Sequence, residues 1–94
     1  MSTTNSVPKP TISLKDQIHE FIAENMAQPK GISSFTNDDH LMDVGIIDSL
    51  GIFRLVSFLE DDLRVKVDDQ EINIETLKSV NTIEELVLRK RASK

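Results

Sequence analysis

Apolar residues along the chain fall into three stripes with the spacing of helices, separated by longer stretches that lack it. In the first stripe Leu14, Ile18, Phe21 and Ile22 recur with Lys15, Gln17, Glu20 and Glu24 between them, which predicts a helix over about residues 14–25. Ser13 stands before it as an N-cap, Asp16 puts a negative charge in its first turn, and Pro29 and Gly31 read as its stop. In the second stripe Leu50, Phe53, Val56 and Leu59 repeat behind Asp48, a strong N-cap residue, with Leu55, Phe58 and Leu63 broadening the apolar face. This helix ends on Glu60, Asp61 and Asp62, which its own dipole disfavours, and such local conflicts tend to accompany function. In the third stripe Ile83, Leu86 and Val87 follow Thr82 and Glu85, read as a capping box, and Arg89, Lys90 and Arg91 suit the helix C-terminus.

Between the stripes the pattern is weaker. Residues 26–47 contain Phe35, Leu41, Met42, Val44, Ile46 and Ile47, too apolar for disorder but spaced for no long helix. A connection of that length inside a small domain is unusual and often functional, and a helical turn is expected near Asp38 to Met42. A short helix is expected near Asn73 to Lys78, after RVKVDDQEI. The fold class that results is all-α: a small bundle of three main helices plus one short helix, with a long first loop. Residues 1–12, rich in Ser, Thr, Asn and Pro, read as a flexible leader, 13–91 as the domain and 92–94 as a tail. The expected core is Leu14, Ile18, Ile22, Leu55, Val56, Leu59, Val67, Ile83, Leu86 and Val87.

Composition narrows the functions. With 94 residues there is room for one small domain, and with no Cys there is no disulfide, thiolate metal site or cysteine nucleophile. The net charge of -5 is unevenly spread. Between Asn37 and Glu75 stand 11 acids against Arg54, Arg64 and Lys66, a local balance of -8, whereas the rest of the chain has 5 acids and 8 bases. Such a block steers basic partners and argues against nucleic acid, which needs clustered Lys and Arg. No apolar run is long enough for a membrane span and the N-terminus does not resemble a signal peptide, so a cytoplasmic monomer is expected. His19 and His40 lack partners at metal-ligand or catalytic spacing, and Asp38-Asp39 and Asp68-Asp69 do not match a calcium loop. No phosphate-loop, dinucleotide or nucleophile-elbow motif occurs, so neither a catalytic residue nor a metal site is expected.

One hydroxyl stands out. With Asp48 as N-cap, Ser49 is the first residue of the second helix, beside unpaired backbone amides and the positive end of the helix dipole, where a phosphate is well tolerated. It has no base to make it a nucleophile of its own, and suits modification by another enzyme. A bare Asp-Ser-Leu would signify only a helix start. Here, however, GIIDSL is followed by LVSFLE, then by V-x-V after the acidic helix end, and then by SVNTIEEL. With these four segments in this order, residues 41–88 resemble the acyl carrier and peptidyl carrier protein family.

The resemblance implies a freestanding carrier of acyl or aminoacyl groups, held as thioesters on a 4'-phosphopantetheine arm attached to Ser49, with Asp48 and Leu50 flanking the arm. It implies as partners a phosphopantetheinyl transferase and an adenylating ligase or synthase, and a role as their substrate rather than as an enzyme. It implies a partner face on the second helix, where Phe53, Arg54, Ser57, Glu60 and Asp61 occupy the matching positions. Two departures stand out: Gly51 and Arg54 occupy positions that are commonly acidic in the general fatty-acid carriers. Both remove negative charge from the recognition face, and a broken buried charge pair costs roughly 2–5 kcal/mol, so a specialised pathway is expected. The competing reading is a helical adaptor that uses the acidic face of the second helix without a prosthetic group.

Overall fold

The computed structural model describes residues 13–92, so the expected leader over 1–12 and the end of the tail lie outside the described residues. Three α-helices form: α1 (Leu14–Ile22), α2 (Ser49–Asp61) and α3 (Val80–Ala92), with no strand among the described residues. The all-α class and the three main helices agree with the sequence pattern.

Ser13 caps α1 by accepting a hydrogen bond from the Asp16 N–H at 3.0 Å. The chain then stays helical further than expected, through a π-helical turn over Ala23–Ala27 and a 3-10 turn over Gln28–Lys30. Pro29 does not stop the helix, because near the start of a new turn its missing N–H costs nothing. Gly31 stops it, in the left-handed conformation (φ 79°) that closes helices. The extension buries Met26 and Ala27, which had looked like loop residues.

The long connection that follows is fastened at several points. His19 of α1 stacks on Phe35 (centroids 4.1 Å apart, planes 7° from parallel) and donates from Nδ1 to Asn37 Oδ1 at 2.7 Å. The Asn37 carbonyl accepts from the Asn81 N–H at 3.1 Å, and Leu41 N–H donates to the Lys78 carbonyl at 2.7 Å. Leu41, fully buried, accepts through its own carbonyl from the N–H groups of both Ile46 and Ile47. The helical turn expected near Asp38 to Met42 lies slightly later, between the His40 carbonyl and the Val44 N–H, and Gly45 (φ 84°) reverses the chain behind it.

Two other expectations need correction. The short helix near Asn73 to Lys78 is a single hydrogen-bonded turn, closed by Leu77 N–H on the Asn73 carbonyl and capped by the Asn73 side chain on the Thr76 N–H. A 3-10 turn over Asp69–Glu71 precedes it, with Asp68 and Glu71 as a reciprocal capping box. The last helix opens at Val80, earlier than Thr82 suggested. Ser79 and Thr82 exchange hydrogen bonds between side chain and backbone (3.1 and 3.3 Å), so Thr82 belongs to the cap as its third residue and not as its first.

The core joins Ile18 and Ile22 of α1, Leu55, Val56 and Leu59 of α2, and Val80, Ile83, Leu86 and Val87 of α3, with Leu41, Ile46, Ile47, Leu63, Val65, Val67 and Leu77 from the connections. Of the expected core only Leu14 is partly exposed. Phe21 stacks on Phe58 (centroids 4.1 Å apart), closing α1 over α2. At the far end Lys90 reaches Glu71 at 2.7 Å and Asp68 at 3.0 Å, and Arg91 donates to the Leu63 carbonyl at 3.3 Å. Two of the three consecutive basic residues therefore clamp the segment that follows α2. Hydrogen bonds to Glu71 and Asp68 raise the Lys90 pKa. Burial pushes the Glu71 carboxyl up, but Lys90 and the Asp68 N–H outweigh it and the net shift is downward. Among the described residues no helix is long and apolar enough to cross a membrane.

Core truncation separates from surface truncation. Leu59→Ala, at a fully buried position, is expected to lower the unfolding free energy in urea by about 2–5 kcal/mol. Leu88→Ala, half exposed on α3, is expected to change it by less than about 0.5 kcal/mol. Equal losses would contradict this core.

Candidate functional site

The start of α2 is where a buried loop becomes an exposed helix. Ile46 and Ile47 are buried, and their N–H groups are both held by the Leu41 carbonyl, so the two residues that follow have a fixed exit from the core. Asp48 is extended (φ -116°, ψ -172°), and its Oδ1 accepts from the Gly51 N–H at 2.8 Å, one of the amides that a helix start leaves unpaired. Its Oδ2 lies 3.4 Å from Lys30 Nζ, the residue that ends the extended first helix. The Gly51 hydrogen bond, helped by Lys30, holds the Asp48 carboxyl below the usual carboxylate range.

Ser49 follows as the first residue of α2, exposed and bracketed by this cap. Leu50 is 75% exposed and Phe53 60% exposed, so both of these members of the apolar stripe of α2 face solvent rather than the core. Arg54, Ser57, Glu60 and Asp61 are exposed as well. The resulting surface is apolar next to Ser49 and acidic towards the helix end. Glu60 also has an internal role, since its Oε2 accepts from the Val67 N–H at 3.2 Å and anchors the strand-like segment after the helix.

Gly51, one of the two departures from the acids common in general fatty-acid carriers, lies close to the capping carboxylate. A Cβ there would lie 3.3 Å from Asp48 Oδ1, a tight approach, and 3.4 Å from Ile47 Cγ2, at the edge of ordinary van der Waals contact. A carboxylate on that carbon would add a second negative charge beside the capping one.

A groove of about 220 Å3 opens beside the start of α2, walled by Met26, Pro29, Ile46 and Leu50 and carrying the side chains of Lys30 and Arg54. The contribution of residues 25–30 was not legible from the sequence, because Pro29 and Gly31 together read as an early helix stop. The usable signal was Met26, an apolar residue four positions after Ile22 on the same face. His19 and His40 lie away from the groove: His19 secures the first loop, and His40 Nδ1 is 3.7 Å from Asp43. Among the described residues no three His, Asp or Glu side chains are grouped to hold a metal ion.

In a comparison with protein families, the model described as a phosphopantetheine attachment site matches residues 16–87, most of the chain. The match begins in α1 and ends in α3, and so spans the extended first helix, the long loop and the exposed serine together. A search of curated proteins found no match.

The cap at Asp48 makes a signed pH prediction. Because its folded pKa lies below the ordinary 3.8, its charge stabilises the fold fully above that pH and the contribution is lost as pH falls through the lower folded value. Asn caps a helix about as well as Asp but carries no charge. The wild-type protein is therefore expected to exceed Asp48→Asn in urea midpoint at neutral pH, with the difference closing below pH 3.8. A difference independent of pH would show that Lys30 and the helix dipole contribute nothing.

Proposed function

The chain belongs to the phosphopantetheine attachment-site family, and on that premise we propose that Ser49 is the residue that bears its covalent 4'-phosphopantetheine. The observation that carries this is the position of Ser49: exposed, first in α2, and set immediately after a buried Ile46-Ile47 pair and a capping Asp48. The amides at the start of α2 and the nearby Lys30 and Arg54 give the phosphate a favourable electrostatic setting. The arm supplies a terminal thiol, the group this cysteine-free chain lacks, for carrying acyl or aminoacyl groups as thioesters.

In loading, Ser49 Oγ forms the new bond to the phosphorus of coenzyme A that bears the pantetheine, and the bond to the second phosphate breaks. Adenosine 3',5'-bisphosphate leaves, and a base of the transferase takes the serine proton. Asp48 holds the helix start rigid and lies next to the incoming phosphate, while Leu50 and Phe53 offer apolar contacts to the enzyme surface. The protein then acts as substrate and partner of a transferase and of an adenylating ligase or synthase. Gly51 and Arg54 support a specialised pathway, because they leave the first turns of α2 without the acids that general fatty-acid enzymes address.

Intact mass spectrometry tests the assignment. Incubation with coenzyme A, magnesium and a promiscuous phosphopantetheinyl transferase is expected to add one phosphopantetheine to the wild type and none to Ser49→Ala. No gain on folded wild-type protein with several transferases would favour an adaptor that uses the face of α2 without an arm.

A further inference from the structure

The groove beside Ser49 lies between the end of the first helix and the start of α2, and it mixes two kinds of surface. Its wall of Met26, Pro29, Ile46 and Leu50 is apolar, and its charged side chains are Lys30, Asp48 and Arg54. Lys30 and Asp48 are paired with each other at 3.4 Å. Arg54 makes no hydrogen bond or ion pair among the described residues. A helical side chain leans towards the N-terminus of its helix, and Arg54 lines the same groove as Leu50 and Gly51 one turn earlier. Among the described residues Arg54 is therefore the one uncommitted cation of the groove, on the turn of α2 that follows Leu50 and Gly51.

We propose that this groove seats the phosphate end of the phosphopantetheine arm, with Arg54 pairing with the phosphodiester. This rests on the assignment of Ser49 as the attachment residue. A phosphodiester carries one negative charge and offers two acceptor oxygens, which a guanidinium can bind in parallel. The carbon skeleton that follows the phosphate matches the apolar wall. The volume, about 220 Å3, falls below the roughly 300–1,000 Å3 of sites that engulf a whole drug-sized ligand, so the groove takes the root of the arm and leaves its thiol end outside. Arg54 thereby sets a resting direction for the arm, across the end of the first helix and away from the exposed Phe53. Because the pair is exposed, it weakens as salt is raised.

The test compares apo and holo protein by 1H–15N correlation spectra, with intact mass confirming complete loading. In wild type, loading is expected to shift the amides of Asn25, Met26 and Lys30 as well as those of residues 47–52. In holo Arg54→Gln and Arg54→Glu the shifts at Asn25 and Met26 are expected to be lost, and the 31P resonance of the phosphodiester to move, while the apo spectra keep the wild-type dispersion. Raising the salt concentration is expected to reduce the same shifts in wild type. Shifts confined to residues 47–52 in fully loaded wild type, or unchanged by Arg54→Glu, would overturn the proposal and leave the attachment intact. Absence of the mass gain would overturn the attachment, and the seat with it.

Discussion

The hydrogen bond from the Gly51 N–H to the Asp48 carboxylate sits at the boundary between a loop that must be buried and a helix that must be partly exposed. On one side Ile46 and Ile47 are pulled into the core, and on the other Ser49 and Leu50 stand in solvent, within a span of five residues. A sharp change of environment over so short a distance needs a backbone with no freedom to slide. The cap supplies it at the helix, and the Leu41 carbonyl, shared by two amides, supplies it at the loop. If either gave way, burial of the isoleucines would no longer determine where the serine emerges.

The rest of the molecule can be understood as support for that boundary. The extended first helix brings Lys30 to Asp48 and Met26 beneath α2. The Lys90 and Arg91 contacts fasten the segment that follows α2, Leu63 through Glu71, to α3. The apolar stripe of α2 is wider than its buried face, and the surplus, Leu50 and Phe53, lies on the side of the serine. Exposed large apolar residues clustered next to the proposed attachment serine make a surface of the kind used in protein contacts.

What the sequence disclosed and what it hid divide by the range of the interaction. The caps at Ser13 and Asp48 reach only three residues, and both were legible. So were the buried faces of the three helices, since periodicity is local. Thr82 was misplaced because two overlapping pairs, Ser79 with Thr82 and Thr82 with Glu85, both fit a helix opening, and the burial of Val80 decides between them. Pro29 misled because its effect depends on whether a new turn starts there, which the packing of Met26 and Ala27 determines. The partners of His19 and Lys30 lie 16 to 18 residues away, beyond any periodic pattern. The exposed serine was legible through a run of neighbouring motifs, whereas the groove beside it was not.

The bonds from Leu41 to Lys78 and from Asn37 to Asn81 close loops of about forty residues, and they fasten the first connection to the start of α3. Chains emerge from the ribosome N-terminal end first, and contacts so distant in sequence form only when both halves are present. Ser49 therefore leaves the ribosome well before its surroundings are complete. Until Lys78 and the helix behind it have emerged, the segment before Asp48 lacks its distant fastenings. The order of synthesis thus delays the finished presentation of Ser49 until the start of α3 has been made.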